Sequence, residues 1–425
     1  MSNIAVIGTG YVGLSSGACF AHLGHVVTCV DVVHLKIDNL NKGILPIVET
    51  GLEDLVAEGV AAGRLTFTTD VASAVKDADV VFLCVPTPEG ADGNADLSYI
   101  QTAAKTLSPL LRSGAVVVNK STVPVGSTKV VERELRRADI AVVSNPEFLR
   151  EGSAIQDFLH PDRIVVGSDN QEAAIAVGAL YEKVGAPVVV TDPASAETIK
   201  YAANAFLATK ISYINAVAAI CEGVGADIND VVLGLGYDKR IGHEFLRPGP
   251  GWGGSCFPKD TKAMVKIAED AGYDFGLLKG VITVNDQQYD RIVGKIRAAA
   301  GGILTGKKIA SWGLTFKALT DDLRDSPAVE IVTRLLAGGA SVSVFDTTVT
   351  IAPKGLDAIT VSASPLEACV GADVIAVLTE WDEFRWVSPA EAADAVRTKQ
   401  IVDARNLLDR SEWRRAGFEY QGIGR

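Results

Sequence analysis

The sequence predicts an α/β protein with two doubly wound parallel-sheet domains, joined by a long central helix and a small helical domain. Apolar strand-like runs alternate with helix-length segments in the first half, a long glycine-poor helical stretch follows, and the alternation restarts near Gly302. Continuous apolar runs of this kind are typical of parallel strands buried on both faces of a sheet. The predicted domains are residues 1–195, 196–300 and 301–425, in keeping with a typical domain size of about 150 residues.

The first domain is predicted to contain a parallel sheet built from short apolar runs. Helix-length segments separate most of these runs, as expected where each strand is followed by a crossover. The predicted strands are residues 4–7, 26–31, 80–85, 115–119, 141–144, 163–167 and 188–191.

A long helix is predicted over residues 196–225, which contain no proline and whose only internal glycine is Gly223. This length exceeds that of an ordinary globular helix and favours a connector between domains and a candidate subunit interface. Further helical segments follow, interrupted by a glycine-rich loop, before strand and helix signals alternate again in a second, smaller sheet. The predicted elements there are strands 308–312, 341–345, 374–378 and 401–403, a helix at 327–337 and the end of another at 367–371.

Charge and composition exclude several classes of protein. The 425 residues carry 40 Lys and Arg against 52 Asp and Glu, a formal net charge of −12, whereas nucleic-acid binding relies on an excess of positive surface. We therefore expect no nucleic-acid partner, although a few placed cations could hold a small anion. No run approaches the roughly 18 apolar residues of a membrane helix, and the first residues enter a strand without room for a signal peptide. We expect a soluble, cytoplasmic protein with no membrane partner.

Cys256 is set apart from the other cysteines by its surroundings. It lies in the segment Gly-Trp-Gly-Gly-Ser-Cys-Phe-Pro-Lys-Asp (251–260), where peptide N–H groups and Lys259 favour a reactive thiolate. A structural turn that contains a cysteine by chance is the alternative. Neither the cysteines nor the histidines have metal-ligand spacing, so no metal is expected. The remaining cysteines lie in apolar runs typical of small buried thiols: Cys19, Cys29, Cys84, Cys221 and Cys369.

A dinucleotide site is predicted after the first strand. Gly8, Gly10 and Gly13 form a G-x-G-x-x-G motif that opens a helix, where they permit a tight turn, close approach of a pyrophosphate and close helix–strand packing. Asp31 ends the next strand, where a carboxylate should meet the ribose 2′-hydroxyl. Val32 and Val33 follow it in place of a cation for a 2′-phosphate, which favours NAD over NADP. A glycine turn without a ligand is the alternative.

Three further features are candidates for function. The turns Val-Pro-Thr-Pro (85–88) and Lys-Ser-Thr-Val-Pro (120–124) follow strands, so both should line the cofactor cleft, although prolines also simply end strands. Lys200 and Asn204 are four residues apart on one helix face. A solvated surface pair is the ordinary reading of such spacing, but apolar surroundings make an inward pair costly unless it has a function.

These motifs occur in order with Asn-Pro-Glu-Phe-Leu-Arg-Glu-Gly (145–152), Gly-Pro-Gly-Trp-Gly-Gly-Ser-Cys-Phe-Pro-Lys-Asp (249–260), Thr-Phe-Lys (315–317), Asp-Leu-Arg-Asp-Ser-Pro (322–327) and Val-Asp-Ala-Arg-Asn (402–406). Together they closely resemble the UDP-glucose/GDP-mannose dehydrogenase family, and within it the members that oxidise UDP-glucose. The resemblance covers essentially the whole chain. It implies two Rossmann-like domains, an N-terminal one that binds NAD and a C-terminal one that binds the UDP-sugar. The long predicted helix favours a homodimer or higher homo-oligomer.

The resemblance also implies site residues. Those implied to bind NAD are Gly8, Gly10, Tyr11, Val12, Gly13, Asp31, Lys36, Pro86, Thr87, Ser121, Thr122, Glu151, Lys259 and Arg324. Those implied to bind UDP-glucose are Glu147, Phe148, Leu149, Glu151, Lys200, Asn204, Arg240, Phe245, Gly253, Lys317 and Arg405, with Arg240 acting across a subunit interface as in some relatives. Cys256 is implied to be the nucleophile, assisted by Lys200, Asn204, Asp260, Thr122 and Glu147.

The implied reaction is a four-electron oxidation of the sugar C6 alcohol to a carboxylate, through a thiohemiacetal and a thioester on Cys256, with two NAD consumed. GDP-mannose and N-acetylated UDP-hexosamines remain alternative substrates. A β-hydroxyacid dehydrogenase, which performs one oxidation without a thiol, and a catalytically inactive binding module also stay open. Nucleotide-sugar epimerases are disfavoured because none of the 9 tyrosines is followed by a lysine four residues later.

Overall fold

The computed structural model divides into two compact units, each with its own sheet and its own apolar clusters. The described residues are 1–88, 90 and 95–425. The first unit comprises residues 1–203 and 266–271, and the second comprises residues 204–265 and 272–425. The three-domain division predicted from the sequence stays a prediction.

The first unit is built on an eight-stranded sheet in the described part of the chain. Its strands are β1 (Asn3–Ile7), β2 (Val26–Val30), β3 (Leu65–Thr68), β4 (Val80–Leu83), β5 (Val116–Asn119), β6 (Ala141–Ser144), β7 (Ile164–Gly167) and β8 (Val188–Thr191). They lie in the order β3-β2-β1-β4-β5-β6-β7-β8. The winding reverses between β1 and β4, and doubly wound sheets bind ligands beyond the carboxyl ends of the strands at such a point.

Helices cover both faces of this sheet. They are α1 (Tyr11–His22), α2 (His34–Leu40), α3 (Leu52–Ala61), α4 (Val71–Val75), α5 (Ser98–Leu107), α6 (Ser127–Leu135), α7 (Ala154–Leu159) and α8 (Gln171–Ala179), with a 3-10 turn at Glu182–Val184. Alternate residues of β1 belong to separate apolar clusters, Ile4 and Val6 to one and Ala5 and Ile7 to the other. This division follows because successive strand residues point to opposite faces.

One strand pairing differs from the predicted parallel arrangement. β7 meets β6 in antiparallel orientation at Ser144 and Gly167, and β8 is parallel to β7. The segment between β6 and β7 contains only the short helix α7, which packs against α1. Because no helix crosses the sheet from end to end there, the chain re-enters the sheet in the opposite direction.

The second unit contains a six-stranded sheet in which every described pairing is parallel. Its strands are β9 (Lys308–Trp312), β10 (Ser341–Phe345), β11 (Thr360–Val361), β12 (Val374–Val377), β13 (Gln400–Asp403) and β14 (Glu419–Gln421), in the order β11-β10-β9-β12-β13-β14. Its flanking helices are α13 (Pro327–Ala337), α14 (Pro365–Cys369), α15 (Pro389–Ala395) and α16 (Arg410–Arg415), with a 3-10 turn at Asp382–Trp386. Ser326 caps α13 with its side chain, and Pro327 occupies the first helical position, where its missing N–H costs nothing.

The predicted long helix is a single 32-residue helix. The helices of this middle part of the chain are α9 (Pro193–Val224), α10 (Ile228–Tyr237), α11 (Phe257–Asp270) and α12 (Gly276–Ala299). By length and composition α9 could cross a membrane, contrary to the expectation that no segment qualifies. Core helices pass the same test, and 44% of its most apolar window is buried within the protein. Together with the buried charged pair that α9 carries at Lys200, this indicates a core helix.

The predicted fold class is confirmed. Every predicted strand is present with its ends shifted by at most two residues, while β3, β11 and β14 were not predicted. These three strands lie toward the edges of their sheets, where shorter and less apolar runs suffice because one side has no partner to satisfy.

Candidate active site

The turn between β1 and α1 has no room for a side chain at two of its three glycines. Gly8 has φ +103°, and a Cβ there would lie 2.5 Å from the carbonyl oxygen of Cys84. A Cβ at Gly13 would lie 1.9 Å from the Gly8 oxygen. Among the described residues, no atom lies within 4 Å of a Cβ built at Gly10, so its backbone can be approached from outside, as pyrophosphate binding requires.

Asp31 follows β2, and its carboxylate faces the glycine turn. It accepts hydrogen bonds from the Thr9 N–H and hydroxyl at 3.0 and 2.8 Å and pairs with the Lys36 ammonium at 2.9 Å. Burial alone would raise the pKa of Asp31, but the hydrogen bonds from Lys36 and Thr9 outweigh it and hold that pKa at about 2. Asp31 is therefore an ionised acceptor at neutral pH, which fits the ribose hydroxyls of NAD.

The second sheet has a similar turn whose carboxylate is already occupied. Asp346, after β10, accepts from the backbone N–H groups of Leu314 and Thr315 at 2.7 and 3.0 Å. The Trp381 indole N–H reaches the same oxygen at 3.2 Å, and Asp346 is only 3% exposed. Asp31 also accepts from protein donors but is partly balanced by the Lys36 ammonium, whereas the partners printed for the Asp346 oxygen are neutral.

The two predicted turns after β4 and β5 lie together. The Thr87 hydroxyl donates to the Thr122 carbonyl oxygen at 2.9 Å, and the Ser121 hydroxyl donates to the Val85 carbonyl oxygen at 2.7 Å, beside Pro86. β4 and β5 are neighbours in the sheet. Their carboxyl ends therefore bring both turns to the edge where the glycine turn lies.

The 145–152 segment joins the first part of α9 through a buried ion pair. The Lys200 ammonium lies 3.0 Å from the Glu147 carboxylate, and the side chains are 4% and 5% exposed. Glu147 also accepts from the Leu149 N–H at 2.5 Å. The Phe148 ring packs under the Arg163 guanidinium, 3.7 Å from the ring centroid. Lys200 is therefore held in place by Glu147 and is not a solvated surface lysine.

Asn204, one turn later on α9, is also buried and lies in the second unit. Its side-chain N–H donates to Asp260 at 2.6 Å, and the Lys259 ammonium lies 2.7 Å from the other oxygen of Asp260. Asn204 and Asp260 are 6% and 0% exposed. The surface-pair alternative for residues 200 and 204 is wrong, because both side chains are inward and hold acidic partners.

Cys256 is partly exposed, whereas the other cysteines are buried and all six are free. Its carbonyl oxygen accepts from the Asp260 N–H at 2.9 Å, which places Cys256 at the start of α11. The Ser255 hydroxyl lies 3.5 Å from the Cys256 sulfur. The start of a helix favours a negatively charged thiolate, so the distinction drawn from the sequence between this cysteine and the others is confirmed in burial.

Buried side-chain amides hold the glycine-rich loop before Cys256. The Asn285 amide accepts from the Trp252 N–H at 2.9 Å and donates to the Trp252 carbonyl oxygen at 3.0 Å. Gln288 donates to the Gly249 carbonyl oxygen, and Asn215 accepts from the Gly249 N–H, both at 2.8 Å. A loop outside regular structure can be buried only if its backbone groups find such partners.

The same loop packs against the segment before α13. A Cβ at Gly253 would lie 1.9 Å from the Asp325 carbonyl oxygen, and one at Gly254 would lie 2.8 Å from the Phe316 ring. The Gly254 N–H donates to the Arg324 carbonyl oxygen at 3.1 Å. Glycine is therefore required at both positions by close packing in the second unit.

Two predicted substrate cations lie near the ends of strands in the second sheet. The Arg405 side chain, 14% exposed, donates to the carbonyl oxygens of Leu378 and Phe316 at 2.8 Å and lies 3.0 Å from Glu380. The Lys317 ammonium lies 5.5 Å from the Phe316 ring centroid. Both fit a site for an anionic or polar ligand at this edge of the sheet.

The remaining predicted residues include two exposed cations. Arg240 is 89% exposed at its side chain and pairs with Asp238, while Arg324 is 66% exposed and pairs with Asp322. Phe245 packs against the Phe257 ring with centroids 6.3 Å apart. Glu151 lies in the turn before α7, as an electrostatic neighbour of Tyr11. The roles proposed for these residues stay predictions. No group of three or more His, Cys, Asp or Glu side chains suited to a metal occurs within the described part of the chain.

Lys120 contacts the 145–152 segment of the candidate site but was not predicted as a functional residue. It is 4% exposed and donates to the Asn145 side-chain oxygen and the Tyr181 hydroxyl at 3.1 and 3.0 Å. Burial lowers the pKa of Lys120 to about 8, although the nearby Glu147 carboxylate opposes the shift. Its position directly after an apolar strand was the available signal, because a lysine there must point along the sheet edge or into the core.

Two buried carboxylates were also missed. Glu197, on α9, accepts from the Gly126 and Thr128 N–H groups at 2.6 and 2.9 Å, which ties α9 to the start of α6. Glu49, between α2 and α3, contacts the start of α1 and the 152–154 backbone. No local motif marks either residue, since their partners lie 38 to 105 positions away.

Family models match three successive parts of the chain. The NAD-binding domain of the UDP-glucose/GDP-mannose dehydrogenase family matches residues 2–185, its central domain matches residues 194–287 and its UDP-binding domain matches residues 310–410. The chain belongs to this family. As a member of the UDP-glucose/GDP-mannose dehydrogenase family it is an NAD-dependent oxidoreductase, in agreement with the glycine turn and the ionised Asp31.

Similar members of the family carry specific names. The chain is 48% identical to a UDP-glucose 6-dehydrogenase of Rhizobium meliloti (strain 1021), over 99% of each chain. It is 45% identical to UDP-glucose 6-dehydrogenase TuaD of Bacillus subtilis (strain 168), over 100% of this chain and 94% of that one. Among solved structures, a UDP-glucose dehydrogenase from Pyrobaculum islandicum matches with TM-score 0.91 at 36% identity, over 100% and 98% of the chains.

Proposed function

We propose that this chain is a UDP-glucose 6-dehydrogenase that oxidises the C6 alcohol of UDP-glucose to the carboxylate of UDP-glucuronate. The observation that carries the proposal is a partly exposed thiol, Cys256, that begins the helix whose buried Asp260 is hydrogen-bonded to Asn204. The names of the most similar relatives support the substrate.

The second oxidation is the step that calls for a thiol. An alcohol loses hydride readily once a base has taken its hydroxyl proton, but the resulting aldehyde carbon is trigonal and has no alkoxide to drive out a second hydride. Attack by the Cys256 thiolate forms a carbon–sulfur bond and restores a tetrahedral carbon as a thiohemiacetal. Loss of its hydride, with return of the oxygen electron pair, leaves a thioester on Cys256.

Fixed donors and a base complete the reaction. Lys200 and Asn204 would donate to the negatively charged oxygen that forms at each tetrahedral stage, a contribution of several kcal/mol where donors are preorganised. Asp260 would take a proton from the water that attacks the thioester, after which the carbon–sulfur bond breaks and the thiolate leaves. Thr122 and Glu147 would assist at the edge of the first sheet. The sum is UDP-glucose, two NAD and water giving UDP-glucuronate, two NADH and three protons.

NAD supplies the hydride acceptor in both oxidations. Gly8, Gly10 and Gly13 would receive its pyrophosphate at the start of α1, and Asp31 would accept from its ribose. Lys317 and Arg405 would bind the UDP-sugar in the second unit, with Arg240 contributed across an interface of a homodimer or higher assembly. We further propose that the enzyme acts in the cytoplasm.

The yield of NADH per sugar tests this function. With limiting UDP-glucose and excess NAD, we expect two NADH and one UDP-glucuronate per UDP-glucose. One NADH per sugar, with the aldehyde as product, would instead support a single oxidation of the β-hydroxyacid dehydrogenase type. No NADH with bound UDP-glucose would support a binding module.

Substrate choice is tested by comparing kcat/KM for UDP-glucose, GDP-mannose and UDP-N-acetylmannosamine with NAD. We expect UDP-glucose to exceed the other two by at least about tenfold, which corresponds to roughly 1.4 kcal/mol of differential transition-state binding. A higher value for either rival would reassign the substrate while leaving the double oxidation intact.

A further inference from the structure

Glu49 is a buried carboxylate in the segment between α2 and α3. It is 8% exposed, although the residues around it are mostly exposed. One oxygen accepts from the Gly152 N–H at 2.7 Å and from the Tyr11 hydroxyl, and the other accepts from the Ala154 N–H at 2.9 Å. Among the described residues no Lys, Arg or His forms an ion pair with it, so its partners are two backbone N–H groups and one phenol.

These partners belong to two different ligand-binding segments. Tyr11 is the first residue of α1 and directly follows Gly10 of the cofactor turn. Gly152 ends the 145–152 segment, which contains Glu147, and Ala154 begins α7 two residues later. The Tyr11 hydroxyl also accepts from the Gly152 N–H at 3.0 Å, so the Tyr11 and Glu49 side chains share one donor. The cofactor turn and the 145–152 segment are therefore joined directly by the Tyr11 hydroxyl, which also lies 3.2 Å from the Arg150 carbonyl oxygen, and through the Glu49 carboxylate.

The Tyr11 phenol is the side-chain donor in this contact. Burial, and next the hydrogen bond and charge of Glu49, raise the pKa of Tyr11 far above its ordinary value. The Tyr11 phenol thus stays protonated and donates to Glu49. An ionised carboxylate is costly to bury unless its hydrogen bonds are all made, so disturbing either segment weakens the whole contact.

We propose that Glu49 is a positioning residue that couples NAD binding to sugar-nucleotide binding, by making order at the cofactor turn depend on order in the 145–152 segment. Whichever ligand binds first fixes one side of the contact, and the second ligand then has less conformational freedom to remove. Linkage requires the effect to be reciprocal, so each ligand must raise the affinity of the other by the same factor. The inference rests on the proposed function for the identity of the second ligand.

Binding of NADH and UDP, which do not react with each other, tests the coupling without turnover. The dissociation constant of NADH is measured by fluorescence with and without saturating UDP, and that of UDP by calorimetry with and without NADH. In the unchanged protein we expect each ligand to tighten the other at least about fivefold, the lower end of ordinary coupling. In Glu49→Gln we expect this factor to fall below about twofold, because an amide cannot accept from three donors at once.

Glu53→Gln is the matched control. Glu53 is an exposed acid four residues later, in the first turn of α3, and its variant should keep the full coupling factor. Circular dichroism and thermal melting establish that the variants are folded. A purely structural Glu49 would lower Tm in Glu49→Gln and leave the coupling factor unchanged.

Tyr11→Phe is a second, milder variant, which removes one donor while the two backbone N–H groups remain. We expect an intermediate coupling factor, and this variant decides the matter if Glu49→Gln does not fold. The proposal is overturned if the unchanged protein shows no coupling between NADH and UDP. It is also overturned if every folded variant has the same coupling factor as the unchanged protein. Failure of UDP-glucose oxidation, by contrast, would leave these binding constants in place and count only against the proposed function.

Discussion

Cys256 differs from the other cysteines in three respects that belong to the residue itself. It is partly exposed, it begins a helix, and it follows a loop whose glycines are required by packing. Asp31 is likewise defined by its immediate partners, which hold its pKa at about 2. Substitutions at these two positions test the nucleophile and the cofactor site separately.

Cys256→Ala should lower the rate of UDP-glucuronate formation by at least about 10³-fold, because the aldehyde has no other route to a tetrahedral thioester precursor. NADH affinity should be unchanged within about twofold. Cys221→Ala, which removes a buried thiol elsewhere in the second unit, should keep activity within a few-fold. Product is measured by chromatography. Turnover of Cys256→Ala within tenfold of the unchanged enzyme would rule out the covalent step.

Asp31→Asn should change how stability depends on pH. The folded-state pKa of Asp31, about 2, lies below the ordinary value of 3.8, so its contribution is present above about pH 4 and is lost as pH falls through 2. At pH 7 the unfolding free energy of the unchanged protein should exceed that of the variant by on the order of 1–2 kcal/mol. Urea unfolding at several pH values should show this gap closing between pH 4 and 2. A constant gap would contradict the assignment.

The loop 249–256 is an irregular segment that is held by other elements. It has no regular secondary structure, yet it is mostly buried, since α9 and α12 supply side-chain amides to its backbone. α9 has a similar role at its other end, where Lys200 and Glu197 fix the 145–152 segment and the start of α6. Long helices thus position short loops.

Asn285→Ala tests this arrangement. It leaves the N–H and carbonyl of Trp252 without their side-chain partners, so we expect a loss of about 2–3 kcal/mol in unfolding free energy and slower alkylation of Cys256 by iodoacetamide. Asn229→Ala, at an exposed position in α10, is the control. It should change the unfolding free energy by no more than about 0.5 kcal/mol and the alkylation rate by no more than about twofold. Equal effects of both variants would show that Asn285 does not hold the loop.

Each of the two units has its own apolar clusters. Those of the first unit lie on both faces of the eight-stranded sheet, and those of the second unit surround the six-stranded sheet and the loop near Trp252. Proteins with more than one such core commonly depart from two-state unfolding. The chain has a formal net charge of −12. Binding of an anionic ligand such as NAD therefore depends on a few fixed cations and N–H groups.

Calorimetry should therefore resolve more than one transition, with a calorimetric enthalpy above the van't Hoff value. NADH at about 100 times its dissociation constant should stabilise the transition of the first unit by about 2.7 kcal/mol, while a second transition moves less. In the Asp31→Asn variant, the same NADH concentration should stabilise the transition of the first unit by less. A single two-state transition that NADH moves as a whole would contradict independent cores.

Much of the fold was predictable because its signals are local. Apolar runs such as 80–83 and 374–377 identify parallel strands, and the G-x-G-x-x-G turn with Asp31 identifies the cofactor end of the first sheet. The exceptional character of Cys256 could also be read from its neighbours. The reversed strand β7 was not predictable, since its direction depends on whether the preceding segment crosses the sheet.

The fold class and the family could be read from the sequence alone, because both depend on residue types within a few positions of one another, and the nucleophilic role of Cys256 stays a proposal. Which buried polar groups become partners depends instead on how distant elements pack. Gly152 finds Glu49 at a separation of 103 residues and Trp252 finds Asn285 at a separation of 33. Such pairs form because burial leaves each polar group with no water to bond, so their geometry exists only after the helices and sheets have packed.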